Sequence, residues 1–513
     1  MSISCKILNR MCCFLYRRQH HKFLRPCDNK KVQMDYLSNL LKKNADTVYG
    51  KEYGFSEIKS YEDFIKNVPL TTYEDYESYI KRAANGEEKV LTVEKIKLFE
   101  LTSGSASSKK MIPYTESLKR EFQSGIKPWL YDIYSNVRGV DSGKSYWSIT
   151  PITAGKSYTQ GNIPIGFEED AEYFGRIEQK LMRKIFAVDS KVKFSDDIER
   201  FYFETSVQLL NCDELTLISV WNPTFLTILC DFMIEHSSEL SKKLPEGRRL
   251  SFLTAIDEMR FDKVFPNLKI ISCWADGSAA DYLEEVKRLF PKVYIQPKGL
   301  LATECFVSFP LVNEEGARLS IYSHFFEFRH IPDGKIVLAD ALTIGEYELI
   351  VTTGGGFYRY CIGDIIEVLQ IYPNHPPRIR FKRRSGITSD LFGEKLSEEF
   401  VRNVCNHLGI ANQFCLLAPE GKQYYFYTTA NNITDDVLDQ DLCESYHYNY
   451  CRQLGQLKKV HIVRVSGNPQ KSYIHRLSQE GMRIGDIKPS YLSRKNGWSC
   501  YFELEEEREN RDD

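Results

Sequence analysis

The sequence predicts an α/β large domain over residues 1–384, followed by a small α+β domain over residues 385–513. Three observations carry this expectation. A chain of 513 residues is longer than one hydrophobic core normally supports. From Tyr146 onward, short apolar runs alternate with segments of helical spacing, the rhythm of strand–helix–strand units. Near Arg383-Arg384-Ser385-Gly386 that rhythm gives way to a helix, a hairpin, a second helix and a strand, which suits a separate compact piece.

The elements follow in order. The first hundred residues read mainly as helix, as in Tyr36–Ala45, where Leu37, Leu40 and Leu41 share a face. Ile96–Leu101 reads as a strand. Leu118, Phe122, Ile126, Trp129, Leu130 and Ile133 then recur at helical spacing. Leu215–Val220, Leu268–Cys273, Lys292–Ile295 and Cys305–Phe309 are predicted strands. Ser278–Phe290 is predicted as a helix with Ser278 at its N-cap. In the small domain, Leu396, Phe400, Val404 and Leu408 mark a helix. Phe414–Ala418 and Tyr424–Thr429 flank a turn at Pro419-Glu420-Gly421, Val437–Leu454 is predicted as one helix, and Val460–Val465 as a strand.

Composition narrows the function. A formal net charge of -2 supplies no electrostatic reason to expect nucleic acid as a partner. The 14 cysteines show neither Cys-x-x-Cys nor zinc spacing, which suits reduced thiols in a cytoplasmic protein. Met1–Arg25 lacks an uninterrupted apolar stretch and does not read as a signal peptide. The longest uncharged stretches contain turn residues, as Asn222-Pro223 does inside Leu215–Cys230, so no membrane span is expected. The charged Glu503–Asp513 run is expected to fray.

Four segments carry chemistry. Leu101-Thr102-Ser103-Gly104-Ser105-Ala106-Ser107-Ser108-Lys109-Lys110 follows a strand and precedes a helix, bringing backbone N–H groups, hydroxyls and positive charge together, as phosphate oxygens require. No Gly-x-x-x-x-Gly-Lys-Ser/Thr occurs, and a plain solvated loop is the rival reading. In Gly299-Leu300-Leu301-Ala302-Thr303-Glu304, a hydroxyl and a carboxylate stand at a strand's carboxyl end, where Thr303 could meet a phosphate and Glu304 could hold Mg²⁺. Thr352-Thr353-Gly354-Gly355-Gly356 turns into Phe357–Asp364, where Asp364 could accept both hydroxyls of a ribose. Ser389–Glu398 forms a charged loop at the head of the small domain. Trp129, Tyr146, Trp147, Trp221 and Phe225 could line an apolar pocket or pack in the core, and His324 could face a site or be a satisfied strand histidine.

In that order and spacing these segments resemble the adenylate-forming superfamily of acyl-CoA synthetases and luciferase-like enzymes. More closely, they resemble the Gretchen Hagen 3 family of acyl acid amido synthetases, also called the auxin-responsive promoter family. Val68–Tyr76, Phe167–Phe174, Val220–Leu226 and Ser323–Phe328 extend the likeness over nearly the whole chain. The resemblance implies a luciferase-like two-domain architecture with a mobile C-terminal domain. It implies that ATP and a carboxylic acid give an acyl-adenylate and pyrophosphate, after which an amine, usually an amino acid, takes the acyl group and AMP leaves. Matched by motif, Thr102, Ser103, Gly104 and Ser105 are the phosphate loop, Thr303 and Glu304 the phosphate and Mg²⁺ motif, and Asp364 the ribose carboxylate. Lys395 lies in the hinge-proximal loop near the nucleotide. Lys488, in Gly485-Asp486-Ile487-Lys488-Pro489, is the C-terminal lysine that reaches the adenylation site.

Three positions depart from the family pattern: Cys361 stands where arginine is usual, Ser107-Ser108 where glycines are frequent, and Gly386 where an acidic hinge residue is common. Arg359, two residues before Cys361, is expected on the same strand face and would partly compensate. Two alternatives stay open: an acyl-CoA ligase, in which a thiol takes the acyl group, and a catalytically weak nucleotide-binding relative.

Overall fold

The computed structural model describes residues 3–101, 110–148, 157–166, 176–195, 197–384, 388–389, 391–392, 394, 396–453, 455–482, 484 and 487–505. It divides into two compact units. The first comprises Met1–Trp221, Leu229–Asp276 and Lys287–Lys382; the second comprises Asn222–Ile228, Gly277–Val286 and Arg383–Asp513.

The first unit begins with helices Ile3–Leu24, Asn29–Asn44, Val48–Glu52, Tyr61–Asn67 and Tyr73–Ala84. Their starts are set by side chains that satisfy orphan N–H groups. Asp28 accepts from the Lys31 N–H, while Ser60 and Asp63 cap each other reciprocally. A parallel sheet follows, in the order Lys144–Trp147, Leu215–Ser219, Ile270–Cys273 and Tyr294–Pro297. Its two central strands are buried along their whole length. Parallel sheets bury both faces, which is why these strands read as continuous apolar runs.

Helix Glu116–Asn136 buries the six residues whose spacing announced it. Thr115 caps it, accepting from the Leu118 N–H at 3.1 Å and donating to Gly354 O at 2.9 Å. A seven-stranded sheet completes the unit, in the order Ile336–Leu338, Phe325–His330, Gly345–Thr352, Tyr360–Tyr372, His375–Arg384, Ala317–Leu319 and Ser308–Phe309.

The second unit has helix Glu398–His407, capped by Ser397, and the hairpin Cys415–Glu420 with Gln423–Thr428. Strand His461–Ser466 pairs parallel to the hairpin, and Glu503–Leu504 closes the edge. Its core gathers Leu396, Val401, Val404, Leu417, Phe426, Leu442 and Tyr448 among others.

Three elements differ from expectation. Val437–Leu454 forms two helices, Asp435–Leu442 and Tyr446–Gln453, because Ser445 interrupts the run and its hydroxyl accepts from the Tyr448 N–H. The α-helix expected from Ser278 begins at Leu283, behind a 3₁₀ segment at Gly277–Tyr282, so Ser278 does not cap it. Of Cys305–Phe309 only Ser308–Phe309 is strand, since Ala302 and Cys305 exchange backbone hydrogen bonds of 2.9 and 3.2 Å that close a turn.

Gly354 has no room for a side chain: an added Cβ would stand 2.2 Å from Glu121 Oε1 and 2.7 Å from Ser117 Cβ. Gly354→Ala is therefore expected to lower the urea midpoint by the equivalent of about 1–3 kcal/mol, the usual range for overpacking. An unchanged midpoint would show that the turn can shift freely.

Candidate active site

The site is built from the turn that follows strand Tyr294–Pro297. Glu304 is buried there, with the Tyr360 hydroxyl 3.4 Å from its Oε1, and Thr303 beside it is half-buried. Asp364 lies on strand Tyr360–Tyr372, also buried. Gly363, just before it, has φ +79°, a conformation that costs glycine little. The two carboxylates act on one sulfur: burial pushes the Cys305 thiol well above its ordinary range, and Glu304, Asp364 and Glu121 push it further. Carboxylates sixty positions apart in the chain thus both lie close enough to one buried thiol for their charges to be felt there.

The flank of the phosphate loop reaches the same neighbourhood. Tyr73 Oη accepts from the Met111 N–H at 2.7 Å, and Lys110 Nζ sits 5.2 Å above the Tyr73 ring. Burial raises the Tyr73 phenol, Met111 opposes this, and the charges of Glu77 and Glu304 add to it. Thr102, Ser103, Gly104, Ser105 and Lys395 lie outside the described residues, as does Phe167–Phe174.

Several segments singled out by sequence turn out to brace this site. Thr71 clamps the glycine-turn strand: its N–H donates to Arg359 O at 3.0 Å, its hydroxyl to Tyr358 O at 2.9 Å, and its carbonyl accepts from the Cys361 N–H at 2.8 Å. His324 is fully buried. The Phe306 N–H points at its Nε2 from 2.9 Å, which requires a lone pair there and leaves the proton on Nδ1, 3.0 Å from Glu121. His324 is thus held in the core through Nε2, while its Nδ1 lies near Glu121 without a formed hydrogen bond.

Arg359 does not share the face of Cys361. Its φ of +48° breaks the strand alternation before Tyr360, and its guanidinium is buried against Glu327, with Nη2–Oε1 at 3.0 Å, and against Val68 O at 2.9 Å. The positive group beside Cys361 comes instead from Arg329 on the second neighbouring strand, whose Nη2 lies 3.2 Å from the sulfur. Burial raises the Cys361 thiol and the Arg329 charge opposes the rise.

Sequence reading passed over Lys298. Its ammonium is buried, donates to Ser219 Oγ at 2.8 Å, and lies 5.3, 5.8 and 4.3 Å from the ring centres of Trp129, Trp147 and Trp221. The tryptophans were the legible signal; the cation between them was not.

In the second unit Lys488 is exposed, and its loop is tied down through the backbone. Ile487 O accepts from Asn222 Nδ2 at 2.6 Å and Lys488 O from the Tyr473 hydroxyl at 3.3 Å. Glu394, which precedes Lys395, is buried and accepts the N–H groups of Leu391 and Phe392 at 2.7 and 2.8 Å. Burial lifts the Glu398 carboxyl above its ordinary range, against Ser490, the Tyr491 N–H, Arg402 and Lys488.

Residues 20–260 match the GH3 family N-terminal domain and residues 318–384 the GH3 family central domain. The chain belongs to the GH3 family. Among GH3 relatives it is 23% identical to indole-3-acetic acid-amido synthetase GH3.4 of Arabidopsis thaliana, over 78% of this chain and 73% of that one. It is 22% identical to the 4-substituted benzoates-glutamate ligase GH3.12 of the same plant, over 72% and 71%. The solved GH3.15 acyl acid amido synthetase in complex with 2,4-DB superposes with a TM-score of 0.79 at 18% identity, covering 97% of each chain. A 2-hydroxyisobutyryl-CoA ligase in its postadenylation state reaches 0.50 at 12% identity, over 85% of this chain and 86% of that one. The fold is the α/β architecture of adenylate-forming enzymes.

Two outcomes follow from this geometry. Glu327→Ala leaves the Arg359 guanidinium buried without its carboxylate and is expected to cost about 3–5 kcal/mol in chemical denaturation; a loss below about 1 kcal/mol would mean that water reaches Arg359. Because folding raises the Glu398 pKa, its stabilising contribution is complete below the unfolded carboxyl's range and is lost as pH rises through the raised value. Glu398→Gln should therefore slow hydrogen exchange in Glu398–His407 at pH 7.5 and leave it unchanged at pH 4. Equal exchange at both values would remove that linkage.

Proposed function

We propose that this GH3 protein activates a carboxylic acid with ATP and transfers the acyl group to the amine of an amino acid. The observation that carries the reading is the convergence of Glu304 and Asp364 on Cys305, in a chain whose curated GH3 relatives are amido synthetases. Among the described residues no cluster of three His, Cys, Asp or Glu side chains is arranged to hold a metal. Mg²⁺ carried by a triphosphate needs only one or two protein carboxylates, and Glu304 fits that demand. Mg²⁺ would supply charge neutralisation between phosphate oxygens.

In this reading Asp364 accepts the ribose hydroxyls, and Thr102, Ser103, Gly104, Ser105 and Thr303 receive the phosphates. Lys395 and Lys488 supply positive charge. A carboxylate oxygen attacks the α-phosphorus, the bond to the bridging oxygen breaks, and pyrophosphate leaves. The reaction brings two anions together, so cations and oriented N–H groups are what the site must provide. The amine nitrogen then attacks the acyl carbon, loses a proton, and the C–O bond to AMP breaks. Residues 385–513 would act as a mobile C-terminal domain that excludes water from the mixed anhydride. Among the described residues no helix is long and apolar enough to cross a membrane.

The test is pyrophosphate release with ATP, Mg²⁺ and a panel of acids, followed by product identification with amino acids and, separately, coenzyme A. An amide supports the reading; a thioester alone overturns it in favour of a thiol acceptor. Asp364→Ala is expected to raise the Kd for ATP about 100-fold, roughly 2.7 kcal/mol for two charge-assisted hydrogen bonds. Lys488→Ala should slow pyrophosphate release at least about 100-fold with ATP binding unchanged, the scale at which removing one charge-stabilising donor acts. Unchanged ATP affinity in the first, or unchanged turnover in the second, removes that residue from its role.

A further inference from the structure

Helix Ile3–Leu24 carries two apolar stripes on opposite faces. One is buried: Cys12, Tyr16 and Phe23 join the core cluster that also holds Leu118, Phe122 and Trp129 of helix Glu116–Asn136. Asn9, on the same face, fixes the roll of the helix, its Nδ2 donating to Asp141 O and Gly143 O at 2.9 Å each. The second stripe faces solvent. Ile7, Met11, Phe14 and Leu15 recur at i, i+4, i+7 and i+8, and all four are exposed, Phe14 to 75%. A helix packed on a core is normally polar on its outer face. Large apolar side chains gathered on one exposed face, rather than scattered singly, mark a contact surface.

Charge tells what kind of surface it meets. No Asp or Glu precedes Asp28, whereas Lys6, Arg10, Arg17, Arg18, Lys22 and Arg25 supply six positive charges, in a chain whose formal net charge is -2. At 100° per residue, Lys6, Arg10 and Arg17 run along one edge of the apolar stripe, and Arg18 and Lys22 continue its line toward the helix end. All five are exposed. Among the described residues, the one carboxylate within ion-pair distance of them is Asp141, 3.5 Å from Arg10 Nε. Arg17 Nε donates to His21 Nε2 at 3.2 Å, and Lys22 Nζ stands 4.0 Å over the Tyr322 ring.

These features together discriminate between occupants. A second copy of the same stripe would set like charges against like. A nucleic acid would use the cations and leave Phe14 and its neighbours in water. An anionic bilayer uses both, since apolar side chains enter the acyl boundary while cations meet lipid phosphates. With five charges along its length, the helix is not apolar enough to cross a membrane, which leaves it to lie along the surface.

We propose that helix Ile3–Leu24 docks this protein on an anionic lipid surface. Ile7, Met11, Phe14 and Leu15 insert below the headgroups, and Lys6, Arg10, Arg17, Arg18 and Lys22 meet their phosphates. The buried stripe keeps the helix folded on the protein while the outer stripe inserts, so docking requires no unfolding. The inference is independent of the acid-activating reading.

The test is co-sedimentation of the full chain with vesicles of phosphatidylcholine alone and of phosphatidylcholine mixed with phosphatidylserine, in about 0.1 M salt. The mixed vesicles should be bound at least about tenfold more tightly, and about 1 M salt should remove most of that difference. Phe14→Ser should weaken binding to the mixed vesicles about tenfold, the scale of one buried aromatic side chain. The double variant Arg17→Gln, Arg18→Gln should weaken it by about 10- to 30-fold. All these side chains are exposed, so the thermal midpoint and pyrophosphate release should stay at the wild-type level in both variants. Absence of vesicle binding, equal binding to both kinds of vesicle, or binding that Phe14→Ser leaves unchanged overturns the proposal. A Phe14-dependent dimer without vesicle binding overturns it in favour of a second copy. Heparin binding that ignores Phe14, again without vesicle binding, overturns it in favour of a soluble polyanion.

Discussion

The first unit is organised around one buried carboxylate. Glu121, on helix Glu116–Asn136, accepts from the Gly354 N–H at 3.0 and 3.1 Å and from the Tyr36 hydroxyl at 2.8 Å, and it faces His324 Nδ1 at 3.0 Å. An ionised carboxyl out of water is tolerable only when its lone pairs are met by donors. Here the donors come from an N-terminal helix and the glycine turn, and His324 faces the carboxylate from the entry to strand Phe325–His330. Burial and the Glu121 charge hold the Tyr36 phenol far above its ordinary range, which keeps it a donor. Satisfying one side chain therefore fixes three elements that sequence scatters over some three hundred positions. The glycine turn so placed leads directly into the strand that carries Asp364.

That constraint explains why some of the structure was legible in the sequence and some was not. Helix Glu116–Asn136 and the central parallel strands announce themselves because burial repeats at 3.6 residues or runs continuously. The helix broken at Ser445 does not, since Leu442 and Tyr448 keep an apolar rhythm across a break made by one hydroxyl. Arg359 was misplaced by the same logic: alternation along a strand presumes extended backbone, and a φ of +48° ends it. Glu304 and Asp364 were visible as motif residues, yet their shared neighbour Cys305 was not. Lys298 and Gln296 carry no motif, because their meaning lies in register across four strands, which only tertiary structure sets.

Cys361 takes its positive neighbour from another strand of the same sheet. On the strand that carries Asp364, the Cys361 sulfur has the Arg329 guanidinium 3.2 Å away. Charge in a site is a property of position rather than of the residue that bears it. Arg329 also lies 3.3 Å from Glu348, so the guanidinium is held from two sides rather than left to swing. The pairing of Arg359 with Glu327 belongs to a different layer: it pins the glycine-turn strand to the sheet and has no freedom to replace what Cys361 lacks.

A core is stablest when its polar groups are paired or absent, and in the row of Ser219, Ser272 and Gln296, aligned by strand register across the parallel sheet, Ser272 Oγ and Gln296 Nε2 are buried without a hydrogen-bond partner. Leucine or valine at Ser272 and Gln296 would bury more apolar surface and leave no orphan donor. Natural chains break such local rules chiefly where a ligand restores the balance. The cost in the ligand-free fold is confined to the carboxyl ends of the strands, where the backbone is already leaving the sheet and the neighbouring indoles can share the cation. One or two residues earlier the same strands carry the buried Leu217, Ile218, Ile270 and Ile271. The sheet thus holds its apolar packing at one level and its buried polar row at the next.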